Sequence, residues 1–241
     1  MPESTLSQGR LHPNVIQTSL IEKTVEFIWG CLIPWRDDSD RQPKEGEEEL
    51  NAQFHNFLQS EATQRFPMVL FQHEQRQEGR RRVDLSAKPI NRQIIAGVTY
   101  TKYDPILVIE GKRLPAPAKS REREYVRGSK EVSGGIQRFK MGLHGSHHET
   151  AIILGYIQKG GLDQWHTRIN NWISELSKSE EGGDWSNQEC LTASIIDGEG
   201  KSRSESVHPR DPKCWTPEIR IIHFWIDLKC LKLKIRTHER I

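Results

Sequence analysis

What the chain lacks narrows it first. It has four cysteines in 241 residues, at Cys31, Cys190, Cys214 and Cys230, and none are spaced as C-x-x-C. That argues against a zinc framework and against a disulfide-stapled fold, and it points to a reducing compartment. No stretch approaches the ~20 apolar residues of a membrane span. The opening MPESTLSQGRLHPN has no apolar core of a secretory signal. A cytoplasmic protein with no membrane partner is therefore expected. The motifs G-x-S-x-G, G-x-x-x-x-G-K-[ST] and H-E-x-x-H are all missing, so serine hydrolase, P-loop and zincin chemistry have no support. Neither sign of charge dominates: 35 Lys and Arg face 33 Asp and Glu. Total charge thus says nothing about nucleic acid, and only its distribution can.

The composition present is polar for a globular chain. Hydrophobic residues make up 34% and charged residues 28%, which suits a modest core with large solvated loops and stops short of disorder. One domain with insertions is the expectation at this length. Apolar spacing predicts a helix over 15–32, ended by Pro34, and a second over 47–60 with Leu50, Phe54, Phe57 and Leu58 inward. Strands are predicted at 67–73, 81–87 and 104–112, with an inserted hairpin over 90–103. A helix near 133–143, a buried strand at 151–157 and a strongly amphipathic helix at 162–176 follow. Two antiparallel strands, 191–197 and 218–228, close the chain around a long polar loop. This order gives an α/β fold, a mixed sheet flanked by helices.

The charges inside these strands are the unusual feature. In YDPILVIEGKRL, Glu110 and Lys112 stand two residues apart at the end of an apolar strand, hence on one face. Asp84 sits in the short apolar stretch RVDL. An unpaired buried carboxylate is costly, so a second one calls for compensating cations. Glu47 shares the apolar stripe of the second helix and is expected to converge on the same place. Three carboxylates and one ammonium sum to −2, which one divalent cation neutralises. Hard oxygen ligands without histidine or thiolate select magnesium, with manganese as substitute. Basic residues crowd at Arg80, Arg81 and Arg82 and again over 112–130, at Arg121, Arg123 and Arg127 among others, as expected of a polyanion-facing surface. The histidines of HGSHHE (144–149) fall in a turn, and His208 of SVHPR (206–210), with Arg210, in the loop before the last strand.

A helix glutamate, then VDL, then VIEGK, then a helix resembles the PD-(D/E)XK nuclease superfamily. The likeness spans roughly residues 45–160 and implies a restriction-endonuclease-like core. An N-terminal helical extension (1–44) and a C-terminal helix and β-hairpin extension (161–241) flank it within a single domain. The resemblance implies Glu47, Asp84, Glu110 and Lys112 as catalytic residues, the three carboxylates as metal ligands, and Gln137 as a further polar site residue, while Arg138 binds phosphate. It further implies a magnesium-dependent nuclease acting on DNA, with RNA as the second choice, in a restriction or phage-defence setting. No separate recognition domain is visible, so a protein partner or a second copy is expected to supply recognition or activation. The competing expectation is a non-catalytic nucleic-acid-binding or assembly subunit that keeps the fold.

Overall fold

The computed structural model describes residues 19–43, 45–77, 81–128, 132–179 and 184–229. Helix α1 (Leu20–Arg36) starts at Ser19, whose hydroxyl accepts from the Glu22 N–H at 3.2 Å and satisfies one of the orphan donors of the first turn. Pro34 does not end this helix as its sequence suggests, because it lies in the last turn. There it removes one bond only, and the helix closes two residues later with the Asp37 N–H on the Ile33 carbonyl. Helix α2 (Glu47–Arg65) is longer than its apolar stripe predicts.

The strands are β1 (Val69–Arg76), β2 (Arg82–Pro89), β3 (Gln93–Ile95), β4 (Val98–Tyr100), β5 (Leu107–Leu114), β6 (Thr150–Ile157), β7 (Ile195–Ile196), β8 (Lys201–Pro209) and β9 (Glu218–Asp227). Between β5 and β6 lie a 3-10 segment (Lys119–Tyr125) and the short helix α3 (Gly135–Lys140). Helix α4 (Leu162–Leu176) follows β6. Seven strands form one mixed sheet in the order β1-β2-β5-β6-β9-β8-β7, and β3 with β4 forms a separate hairpin. The hairpin is thus the insertion expected from the sequence, and β2 and β5 are direct neighbours across it.

The centre of the sheet is parallel, β5 to β6 to β9, and both flanks are antiparallel. Such a centre must be covered on both faces. Helices α1 and α2 bury Val25, Ile28, Leu32, Leu50, Phe54 and Leu58 against one face, with Leu85, Ile109, Ile152 and Phe224. On the other face α3 and α4 bury Ile136, Phe139, Trp165, Ile169 and Ile173 against Val108, Ile153 and Ile221. This is an α/β fold with helices on both sides of one sheet. Among the described residues no helix is long and apolar enough to cross a membrane.

The C-terminal strands differ from expectation. Residues 201–209 are not a polar loop but β8, paired with β9 along its whole length. Its inward positions are Ser202, Ser204, Ser206 and His208, all buried. Small hydroxyls and a histidine replace the aliphatic residues that mark a strand, so the alternation is invisible to hydropathy. Strand β9 is also no appendage, because it pairs with β6 inside the main sheet.

Candidate active site

Four elements meet at the C-terminal half of β5. One register step beyond the Leu85–Ile109 pair, Asp84 of β2 stands opposite Glu110 of β5, and its Oδ2 accepts the Gly111 N–H at 2.7 Å. Lys112 Nζ lies 2.9 Å from Glu110 Oε1 and 3.2 Å from Glu47 Oε1. The second Glu47 oxygen accepts the Arg113 N–H at 3.0 Å. From α3, Arg138 places a guanidinium nitrogen 2.9 Å from Glu110 Oε1. His144, in the turn after α3, brings Nδ1 to 3.2 Å from Glu110 Oε2.

Glycines make the approach possible. A Cβ at Gly111 would overlap the side-chain amide of Asn51 on α2, so this helix can rest directly on the strand between Glu110 and Lys112. Asn51 is held there by the Tyr156 hydroxyl at 2.8 Å. On the other side a Cβ at Gly135 would sit 3.0 Å from the Tyr125 carbonyl and 3.6 Å from Lys112 Cε. The x of E-x-K is therefore a packing requirement of α2.

Electrostatics separate the two strand carboxylates. Burial, then the neighbouring Glu110 charge, pushes the Asp84 carboxyl up to about 8, against the pull of Lys112 and the Gly111 N–H. Burial also disfavours an ionised Glu110, but Lys112, His144 and Arg138 outweigh it and hold that carboxyl well below the usual range. Lys112 loses hydration by burial, yet Glu110, Glu47 and Asp84 hold its ammonium above an ordinary lysine. Near neutral pH and without a cation, Glu47 and Glu110 balance Lys112 and Arg138, while Asp84 is largely protonated. The sum is zero rather than the −2 counted from sequence, because Arg138 joins the site and Asp84 holds its proton.

A magnesium ion fits the residues that remain. Glu110 Oε2 is buried with no hydrogen-bond partner, since the His144 contact is not aligned as one. Beside it stands Asp84, whose ionisation burial and the Glu110 charge oppose. Among the described residues no group of three or more His, Cys, Asp or Glu side chains is arranged to hold a metal. Glu47, expected as a ligand, has both oxygens committed to Lys112 and Arg113. Two carboxylates remain, and magnesium accepts such a set because it keeps several of its waters.

Other expected site residues fall elsewhere. Gln137 turns its Oε1 to the Gly128 N–H at 3.1 Å and braces the loop before α3. Arg82 pairs with Glu74, Arg121 with Glu124 at 2.8 Å, and Arg123 with Glu175 at 2.6 Å. The basic run thus belongs in part to ion pairs that tie the 3-10 segment to α4, with Arg168 and Glu122 adding another. Arg127 lines a groove beside this segment, Arg81 is exposed, and Arg80 lies outside the described residues. His144 was missed: a turn of histidines carries no periodicity to aim it.

Behind the site runs a buried polar chain. The Trp225 indole N–H donates to the Tyr125 hydroxyl at 2.8 Å, which meets His223 Nδ1 at 2.7 Å. His223 Nε2 and His208 Nε2 flank Ser206 Oγ at 2.8 and 2.6 Å, and His208 Nδ1 reaches Glu189 at 2.8 Å. Lys140 closes the chain on both Glu189 oxygens, at 2.8 and 2.7 Å. One assignment satisfies every donor: Tyr125 to His223, His223 to Ser206, Ser206 to His208, His208 to Glu189. It requires both imidazoles neutral, which burial enforces by lowering both. Ser206, His208 and Glu189 imitate a hydrolase relay, but Ser206 is 2% exposed in mid-strand and already accepts from His223. The chain is a brace between β8, β9 and the 3-10 segment. Arg210, read from sequence as part of a loop, is likewise buried and donates to the His148 and Gly145 carbonyls, both at 2.9 Å. Cys31, Cys190 and Cys214 are free thiols, and Cys230 lies outside the described residues.

Comparison of the chain with protein-family models, with curated proteins and with solved structures finds no match.

Proposed function

We propose that this protein is a magnesium-dependent nuclease of the PD-(D/E)XK type that hydrolyses phosphodiester bonds in DNA, with a restriction-endonuclease-like core. The observation that carries the proposal is the placement of Asp84 and Glu110 one step beyond the Leu85–Ile109 pair of β2 and β5, with Asp84 on the Gly111 N–H at 2.7 Å, Lys112 Nζ 2.9 Å from Glu110 and the second Glu110 oxygen unbonded. The elements bearing the resemblance, α2, β2, β5 and α3, are also contiguous around this pair. Asp84 and Glu110 would hold magnesium, which when bound stabilises charge on the phosphoryl group and activates water. Lys112 stays an ammonium, so its role is electrostatic and not that of a base. Arg138, with 29% of its side chain exposed, exchanges Glu110 for a substrate phosphate, which its planar fork matches. Manganese is expected to substitute, and a partner or second copy to direct the enzyme, in a restriction or phage-defence role.

The charge balance favours one competitor: a nucleic-acid-binding or assembly subunit in which the same ion pairs are structural. Supercoiled plasmid incubated with magnesium, with manganese and with EDTA separates the two. Cleavage is expected with either metal, none in EDTA, and none from Asp84→Asn or Lys112→Ala. Cutting in EDTA, or undiminished cutting by Asp84→Asn, would refute the enzyme. Tight DNA binding without cleavage under any metal would establish the subunit.

A further inference from the structure

Beside the site lies a groove of about 880 Å³ between the ends of β1, the β3–β4 hairpin, and loops 141–148 and 213–215. It is within the ~300–1,000 Å³ of ligand pockets. One wall contains the turn that carries His144 onto Glu110. In its lining, Arg76 is the register partner of Arg82, two residues from Asp84. The groove therefore borders the strand that carries Asp84.

Its lining is specific in chemistry. Trp215 is 67% exposed, and His147 stands edge-on to it at 4.8 Å between centroids and 87° between planes. Such a ring is costly to leave in water and offers a flat surface. Arg76 and the exposed Lys213, which stands 3.4 Å from Asp211, add positive charge, and the one acid in the lining, Asp104, is held by the Thr101 N–H and hydroxyl at 2.9 and 2.6 Å.

Two acceptors lack donors. His148 is 9% exposed, and its Nε2 meets the Pro105 carbonyl at 3.0 Å, so that nitrogen carries the proton. Its Nδ1 is then a bare acceptor with no partner, as is the buried Oε1 of Gln75. Both atoms are sealed from solvent, so the lining that a ligand meets is the cationic side chains, which suit phosphate, and the flat ring, which suits stacking; together they describe a nucleotide. A base offers its face to such a ring only when it is unstacked from a duplex, as in a single strand.

We infer that this groove takes unpaired nucleobases, so that the substrate strand reaching Asp84 and Glu110 is single-stranded, as at an overhang, flap or opened duplex. The inference rests on the nuclease reading for its direction of approach, but not for binding. Base stacking on an aromatic ring is sequence-tolerant, which suits a groove with so few polar readers.

The test is fluorescence anisotropy in EDTA with a labelled single-stranded oligodeoxynucleotide, its blunt duplex and the matching ribo-oligomer. The wild-type protein should bind the single strand roughly tenfold or more tighter than the duplex, and Trp215→Ala should lose about tenfold of that affinity, the scale of one stacked base. Trp215→Phe should keep most of it. Either sugar preference satisfies the inference and names the strand. Equal binding of single strand and duplex overturns it, as does an unchanged affinity in Trp215→Ala. Because Trp215 is exposed, its removal leaves the core intact, and an unshifted thermal midpoint verifies this. Stacking-dependent binding by a protein that never cuts would retain the groove and remove the nuclease. Asp84-dependent cutting with binding indifferent to Trp215 would do the reverse.

Discussion

Glu110 is the hub of the site, and its neighbours do not respond alike to substitution. It is paired with Lys112 and Arg138 in a setting where its own side chain is 2% exposed. Removing it strands two cations, so Glu110→Ala should destabilise the fold by roughly 3 kcal/mol, the cost of breaking a buried pair. Asp84 is the exception, because Glu110 repels it. Asp84→Asn should leave the thermal midpoint unchanged or raised, which makes it the cleanest inactive variant. Arg138 competes with any cation for Glu110 Oε1. In Arg138→Ala, calcium titrated by calorimetry should bind about tenfold tighter, since a charge-assisted hydrogen bond of about 1.5 kcal/mol no longer has to break. Cleavage should nevertheless fall, because the phosphate loses its fork. Weaker calcium binding by this variant would mean that Arg138 orders Glu110 for the metal rather than opposing it.

At the scale of elements, the contact between α2 and β5 decides whether Glu47 reaches Lys112. Gly111→Ala drives a methyl into Asn51, which is 1% exposed and tethered to Tyr156. Overpacking of this kind costs about 1–3 kcal/mol, and α2 can yield only by withdrawing Glu47 from the Arg113 N–H. Urea unfolding should show that loss, and Asn51→Ala should recover part of it in the double mutant, as contacting residues couple. If Gly111→Ala is neutral, the helix does not bear on the strand there. The sequence made some elements plain and hid others for physical reasons. Helix α4 was readable to the residue, 162–176, because Trp165, Ile169, Trp172 and Ile173 form one buried stripe. Asp84, Glu110 and Lys112 were legible as charges inside apolar strands. Strand β8 was hidden because its buried face is made of serines and His208. Arg138 was visible as a phosphate ligand, but its pairing with Glu110 depends on the turn of a six-residue helix, which no periodicity announces.

For the whole molecule, buried titratable groups set how stability follows pH, and they pull in opposite directions. Burial, offset in part by the Pro105 carbonyl, lowers His148 to about 4, and burial lowers His208 and His223 below their ordinary 6.5. All three are neutral in the fold and protonated in the unfolded chain below pH 6.5. Their contribution is complete above that value and is lost as pH falls toward the folded values. Asp84 behaves inversely: its carboxyl lies near 8 in the fold and 3.8 unfolded. Its contribution is complete below 3.8 and fades as pH rises through 8. On the acid side the histidines outnumber Asp84, so the unfolded chain binds more protons than the fold and stability should rise with pH. Above about 6.5 only Asp84 remains out of balance, and stability should decline by at most about 1.4 kcal/mol per unit toward pH 8. The maximum falls near pH 6.5. Urea midpoints measured in EDTA at about pH 5, 6.5 and 8 would trace this curve. In Asp84→Asn the decline above neutrality should vanish while the acid limb steepens. A His208→Gln variant should instead flatten the acid limb and leave the alkaline decline in place. A profile level from pH 5 to 8 in the wild-type protein would mean that these histidines are reached by water and the polar chain is not closed.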